Sequence, residues 1–150
     1  MVATLGLIAF LSLQDCEDPT RDAIQATVED MVIAVETGDR DRLDAWIAAD
    51  YRDRLGHDNE TIVRRIMDEV EHYDDLNIEL DHLSIKIEEK TGFATATFLP
   101  RFVGDTDSAK KTRPKYTFQK GQRLRVKLRK HGDYWLVVRG DMTVSIRGAL

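Results

Sequence analysis

In "AADYRDRLGHDNETIV", residues 48–63, Asp53 and His57 stand four apart, with Tyr51 two residues before the aspartate and Gly56 just before the histidine. A carboxylate near an imidazole can move a proton at neutral pH, because histidine's ordinary pKa lies close to it. Two roles compete for Asp53. A desolvated carboxylate at a pocket mouth acts as a general base. A turn aspartate instead accepts backbone N–H bonds near a helix end and does no chemistry, and aspartate serves turns readily. Tyr51, at alternate spacing from Asp53, either shares its pocket wall or packs in the core. His57 is either its proton partner or a solvated loop residue.

Other charged groups offer weaker chemistry. His57, His72, His82 and His131 show no HxxxH or HxH spacing, and the single cysteine, Cys16, adds no ligand, so no metal site and no cofactor are expected. The stretch from Lys110 to Lys130 holds ten Lys/Arg and no acid, with Tyr116 and Phe118 interleaved. Such a run binds phosphates or anionic surfaces in some proteins. It also serves as a solvated strand face, where lysine and arginine resist edge-to-edge association. Arg139 and Asp141 alternate with Tyr134, Leu136 and Val138. On a concave face they would reach a pocket as an ion pair, and otherwise they are paired surface charges.

The chain that must position these groups has 150 residues, 42% hydrophobic and 33% charged, enough for one soluble domain with a real core. Its net charge of −5 argues against a general nucleic-acid binder. Residues 1–90 carry 23 Asp/Glu against 9 Lys/Arg, and residues 91–150 carry 4 against 13. The acidic part and the basic part attract each other within one fold or across a dimer. "MVATLGLIAFLSL" has no charge and the length of a signal-peptide core, too short to span a bilayer. It lacks a basic n-region, which points to a start further upstream. Residues 1–18 are therefore expected to be a leader-like or anchoring segment, with export to the cell envelope ahead of a cytoplasmic location. Cys16 sits where a bacterial lipoprotein is acylated and Leu13 suits that site, whereas Asp15 does not.

From residue 19 the hydrophobic pattern predicts three helices. Asp18-Pro19 starts the first, which carries Ile24, Val28, Met31, Val32 and Val35 on one face, and Gly38 stops it. Asp39 caps a second with Leu43, Trp46 and Ile47. Asn59 caps a third with Ile62, Val63, Ile66, Val70 and Tyr73 inward. The period then changes to two. In "NIELDHLSIKIEE", Ile78 and Leu80 have one parity and Leu83, Ile85 and Ile87 the other, which calls for a β-bulge near Asp81-His82. "GFATATFLPRFV" follows a turn at Gly92, with a bulge or an unpaired position expected at Pro100 late in the strand. After a polar loop, "KYTFQ" resumes pairing, and "QRLRVKLRK" points Leu124, Val126 and Leu128 inward. "YWLVVRGDMTVSI" closes the sheet. Its run Tyr134–Val138 is apolar on both faces, which favours a homodimer through the sheet. Helices first and antiparallel strands afterwards make an α+β domain over 19–150, a bent sheet wrapped on three helices with a pocket at the open end.

"AVETGDRDRLDAWIAADYRDRLG", "NETIVRRI", "YDDLNIELDHLSIKI" and "RVKLRKHGDYWLVVRGDM" together resemble the nuclear transport factor 2-like superfamily, over roughly residues 20–147. The likeness is greatest to its SnoaL-like and ketosteroid-isomerase-like bacterial members. It implies the same α+β cone. It also implies that Asp53, just after the second helix, occupies the place of the isomerases' catalytic base. Their tyrosine donor on the first helix is matched here by Met31, whose thioether cannot donate. Their second, protonated acid has no match, so steroid isomerisation is not expected. Two functions stand: a non-catalytic envelope domain binding a small apolar ligand or a protein partner, or a small SnoaL-like enzyme using Asp53 with help from Tyr51 or His57. The first is preferred because acid–base catalysis needs more than one recognisable group.

Overall fold

The computed structural model describes residues 18–73, 75–103 and 123–141. The opening segment with Cys16, the loop 104–115, the "KYTFQ" strand, most of the basic run and the chain after Asp141 lie outside the described residues.

Helix α1, Pro19–Glu36, begins where the Asp18 carboxylate accepts the Thr20 N–H at 3.0 Å and proline takes the first helical position. Beyond its cap at Thr37, Gly38 turns the chain at φ 65°, a conformation that side-chain-bearing residues avoid. Asp39 caps α2, Arg40–Trp46. Helix α3 spans Asn59–Val70, and its cap is Asp58, one residue earlier than the pattern predicts. The Asp58 carboxylate accepts the Thr61 N–H at 2.9 Å, while the Asn59 amide donates to the Ile47 carbonyl at 2.8 Å. The charged oxygen is the better acceptor for the helix end, and asparagine's donor is what the distant carbonyl needs. The helix ends at Val70, so Tyr73 lies just past it.

Strands β1 (Asn77–Glu88), β2 (Phe93–Val103), β3 (Leu124–His131) and β4 (Tyr134–Asp141) form one antiparallel sheet in chain order. The expected bulge in β1 is present. Asp81 pairs with Leu99 and Ser84 with Thr97, so His82 and Leu83 together oppose Phe98. His82 adopts φ 55°, and beyond it Ile85 returns to the core. Pro100 makes no bulge against β1. It stands in register opposite Leu80, and the pairing of β2 with β3 stops at Phe98, so proline occupies a position with one strand neighbour among the described residues.

A second bulge lies in β4. Lys127 pairs with Arg139 and Leu128 with Val137, which leaves Val138 without an opposite residue. Trp135 and Val137 face the core before it, and Gly140 is buried opposite Val126 after it. The carbonyls of Val137 and Val138 accept the N–H groups of Ala48 and Arg52, which seats the segment after α2 against β4.

The core joins Ile24 and Val28 of α1, Leu43 of α2 and Val63 of α3 to Leu128, Trp135 and Val137 of the sheet. Each fully buried aliphatic side chain contributes about 1.5–3 kcal/mol. The outer sheet face is charged: Arg129 grips Asp50 through two contacts of 2.8 Å, and the Lys127 amine lies 4.3 Å from the centre of the Phe93 ring. Tyr134 is 46% exposed. No described helix is long and apolar enough to cross a membrane.

Candidate functional site

The segment between α2 and α3 folds around Asp53. Asp53 Oδ1 accepts the N–H groups of Leu55 at 2.8 Å and His57 at 2.9 Å, and Oδ2 meets His57 Nδ1 at 2.6 Å. On the far side of the ring, Arg65 Nη1 approaches His57 Nε2 at 2.6 Å. Arginine can only donate, so Nε2 accepts and Nδ1 carries the proton toward Asp53. Burial pushes the Asp53 carboxyl's pKa up, but the His57 ring and the His57 and Leu55 N–H groups outweigh it and hold the pKa below the ordinary aspartate value. Asp53 thus has its lone pairs committed to closing a turn, and both ring nitrogens of His57 are engaged.

Tyr51 is buried beneath β4. Its phenol is pushed up to about 12, first by burial and then by the negative charge of Asp53, against a backbone hydrogen bond with Gly140. The approach is close enough that a Cβ at position 140 would stand 2.8 Å from the hydroxyl. Gly140 is therefore the residue that admits this tyrosine. Arg139 is exposed and opposite Lys127, because the bulge at Val138 turns it to the outer face. Asp141 stands opposite Arg125, with Oδ1 buried and lacking a partner.

The cavity lies elsewhere. About 100 Å³ of space opens between α1, α3 and the first three strands. Val28, Met31, Val32 and Val35 form the helix wall, Ile78 and Leu80 come from β1, and Phe98, Pro100, Leu124 and Val126 from β2 and β3. Of the residues singled out from sequence, Met31 lines it, and Asp53, Tyr51, His57, Arg139 and Asp141 do not.

Among the described residues two titratable ones do line it: Glu69 near the end of α3 and Tyr73 just beyond. Glu69 is 5% exposed, and its Oε1 is buried with no hydrogen-bond partner. Burial alone raises its carboxyl from 4.5 to about 7. Tyr73 is raised as well, by burial and by the charge of Glu69. A carboxyl that is half protonated near neutrality, in an apolar wall, can donate or accept one hydrogen bond or hold one proton. The signal was in the sequence. Glu69 lies three residues after Ile66 and four before Tyr73, inside the apolar stripe of α3, so the helical period turns it inward. Among the described residues, no group of three or more His, Cys, Asp or Glu converges as a metal site would require.

No family model matches the chain, and no curated protein sequence matches it. Solved structures match over most of its length. One is a protein of Novosphingobium aromaticivorans provisionally assigned as a scytalone dehydratase, at 13% identity, covering 81% of this chain and 80% of that one, with a TM-score of 0.63. Another from the same organism, provisionally an aromatic ring hydroxylase, shares 18% identity over 80% of this chain and 85% of that one, at 0.62. A nuclear transport factor 2-like protein of unknown function from Pseudomonas putida shares 19% over 87% and 93%, at 0.59. At these identities the likeness is one of fold. The chain has the nuclear transport factor 2-like α+β cone, as its sequence pattern implied.

Proposed function

We propose that the protein binds a small, mostly apolar molecule in the cavity between α1, α3 and the sheet, with Glu69 as the polar group that orients it. One observation carries this: among the described residues a single carboxyl, 5% exposed and with one oxygen unpartnered, stands in a wall that is otherwise apolar apart from Tyr73. Burying such a group without a partner costs about 1–3 kcal/mol. A ligand that supplies the partner recovers that cost, and this is how binding cavities combine apolar area with a few placed polar groups. The fold accommodates proteins with enzyme assignments, but fold does not carry chemistry. Asp53 and His57, already engaged with each other and with the turn, support a structural role for that pair. The uncharged opening of the sequence supports an exported location for the domain.

The test is a fluorescence titration with N-phenyl-1-naphthylamine, an apolar dye that brightens in dry cavities. Saturable binding at one site is expected, and its loss in Val32→Trp, which fills the cavity from α1. Equal binding in a Val32→Trp protein with an unchanged circular dichroism spectrum would refute the assignment.

A further inference from the structure

The donor and acceptor inventory of the cavity restricts the chemistry of its occupant. Among the described residues, Glu69 is the only carboxyl that lines it, and no lysine, arginine or histidine does so. The rest of the described lining is apolar apart from Tyr73: Val28, Met31, Val32 and Val35 from α1, and apolar residues alone from β1, β2 and β3. Among the described residues, Tyr73 is the only other titratable group facing the space.

Each ligand class meets this wall differently. An anionic ligand finds no cation among the described residues, and ionised Glu69 would repel it. An ammonium ligand has three N–H donors to place. The carboxylate and the Tyr73 oxygen could accept them, but the ion pair would have to give up its hydration in an otherwise apolar surround, a cost that rivals its own attraction. A ketone, ester or ether oxygen needs one donor. Protonated Glu69 supplies one, aimed from an oxygen that has no partner within the protein.

Resting on the cavity-binding reading above, we infer that the occupant is a neutral apolar molecule carrying a hydrogen-bond acceptor and no charge, and that it is held only while Glu69 keeps its proton. Binding is therefore coupled to proton uptake. The acceptor has no partner once the carboxyl ionises, since two oxygens then face each other without a hydrogen between them. Because burial sets that ionisation at about 7, capture and release straddle neutral pH. Above it the acceptor's advantage over a hydrocarbon of the same shape falls by up to about tenfold per pH unit until it is lost.

The experiment compares three probes of similar shape on the full chain from pH 5 to pH 9: 2-acetylnaphthalene, 2-isopropylnaphthalene and 1-(2-naphthyl)ethylamine. The ketone is expected to bind more tightly than the hydrocarbon at pH 6 and to lose that advantage by pH 9. The hydrocarbon should bind equally across the range. Glu69→Gln retains an N–H donor, so it should still take the ketone, with a flat pH profile. Glu69→Leu should bind ketone and hydrocarbon alike, and its hydrocarbon binding reports that the cavity is intact. A ketone that follows the hydrocarbon at every pH, or an amine that binds best, overturns the inference while leaving the cavity-binding reading standing. Failure of all three probes at every pH overturns both.

Discussion

Replacing Glu69 by glutamine should flatten the pH dependence of stability by an amount that follows from its burial. The carboxyl titrates at about 7 in the folded protein against 4.5 as its ordinary value. That gap of about 2.5 units corresponds to roughly 3 kcal/mol at 1.36 kcal/mol per unit. The folded state holds the proton more tightly than the unfolded chain. The favourable contribution is therefore complete below pH 4.5, declines as pH rises, and is gone above about 7. Glutamine is close in shape to the protonated acid and does not titrate. The two proteins should thus differ by a small constant near pH 4, and the variant should gain about 3 kcal/mol on the wild type by pH 8. Against a total stability of order 5–15 kcal/mol this is a large shift. Urea unfolding followed by the emission of Trp46 and Trp135, at half-unit steps from pH 4 to 8.5, measures it. Aspartates whose pKa is lowered, such as Asp30 and Asp58, act in the opposite direction but are common to both proteins and cancel in the difference. A difference that stays constant within about 0.5 kcal/mol across that range would refute the claim that Glu69 is desolvated.

Three other substitutions probe the frame around the cavity. Asp53→Asn disrupts the turn and should cost about 2 kcal/mol at pH 7. Because its pKa is lowered, that contribution is present above the ordinary aspartate value of 3.8 and lost as pH falls below it; affinity for 2-isopropylnaphthalene should not change, and a drop would place Asp53 at the site after all. Gly140→Ala drives a methyl against the Tyr51 hydroxyl and should cost about 1–3 kcal/mol, most of it recovered in a Tyr51→Phe background. Additive effects in that double mutant would refute the contact. Glu36→Ala removes the acceptor for the Ile78 N–H, which it meets at 2.6 Å, and should speed hydrogen exchange at that amide ahead of its neighbours.

Much of this architecture was legible because it depends on local rules. The parity change between Leu80 and Leu83 forced a bulge, and the structure places it at His82. Caps at Asp18 and Asp39 followed from short acidic side chains before apolar periodic runs. The bulge at Val138 left no such trace, since a run apolar on both faces shows no change of parity when a residue is inserted. That silence also concealed which way Arg139 points. The cavity carboxyl is hard to read from sequence for a different reason. A glutamate in a charged helix reads as solvated, and only counting its position against Ile66 and Tyr73 reveals it as inward. The spacing of Asp53 and His57 suits chemistry and turn closure equally, and only the three-dimensional satisfaction of their hydrogen bonds distinguishes the two.

The strictly sequential order of the sheet bears on how the chain reaches this state. β1 with β2 and β3 with β4 are hairpins closed by turns of a few residues, fast to form because little chain entropy is lost. Pairing Phe98 with Leu124 must instead gather the chain between Val103 and Leu124, and the bridge from Ile47 to Val137 spans most of the domain. The two hairpins are thus expected to assemble early as separate units. The junction between β2 and β3 then sets the folding rate, and the strap from α2 to β4 closes last. The cavity wall takes residues from both hairpins, so it comes into being only at that late junction.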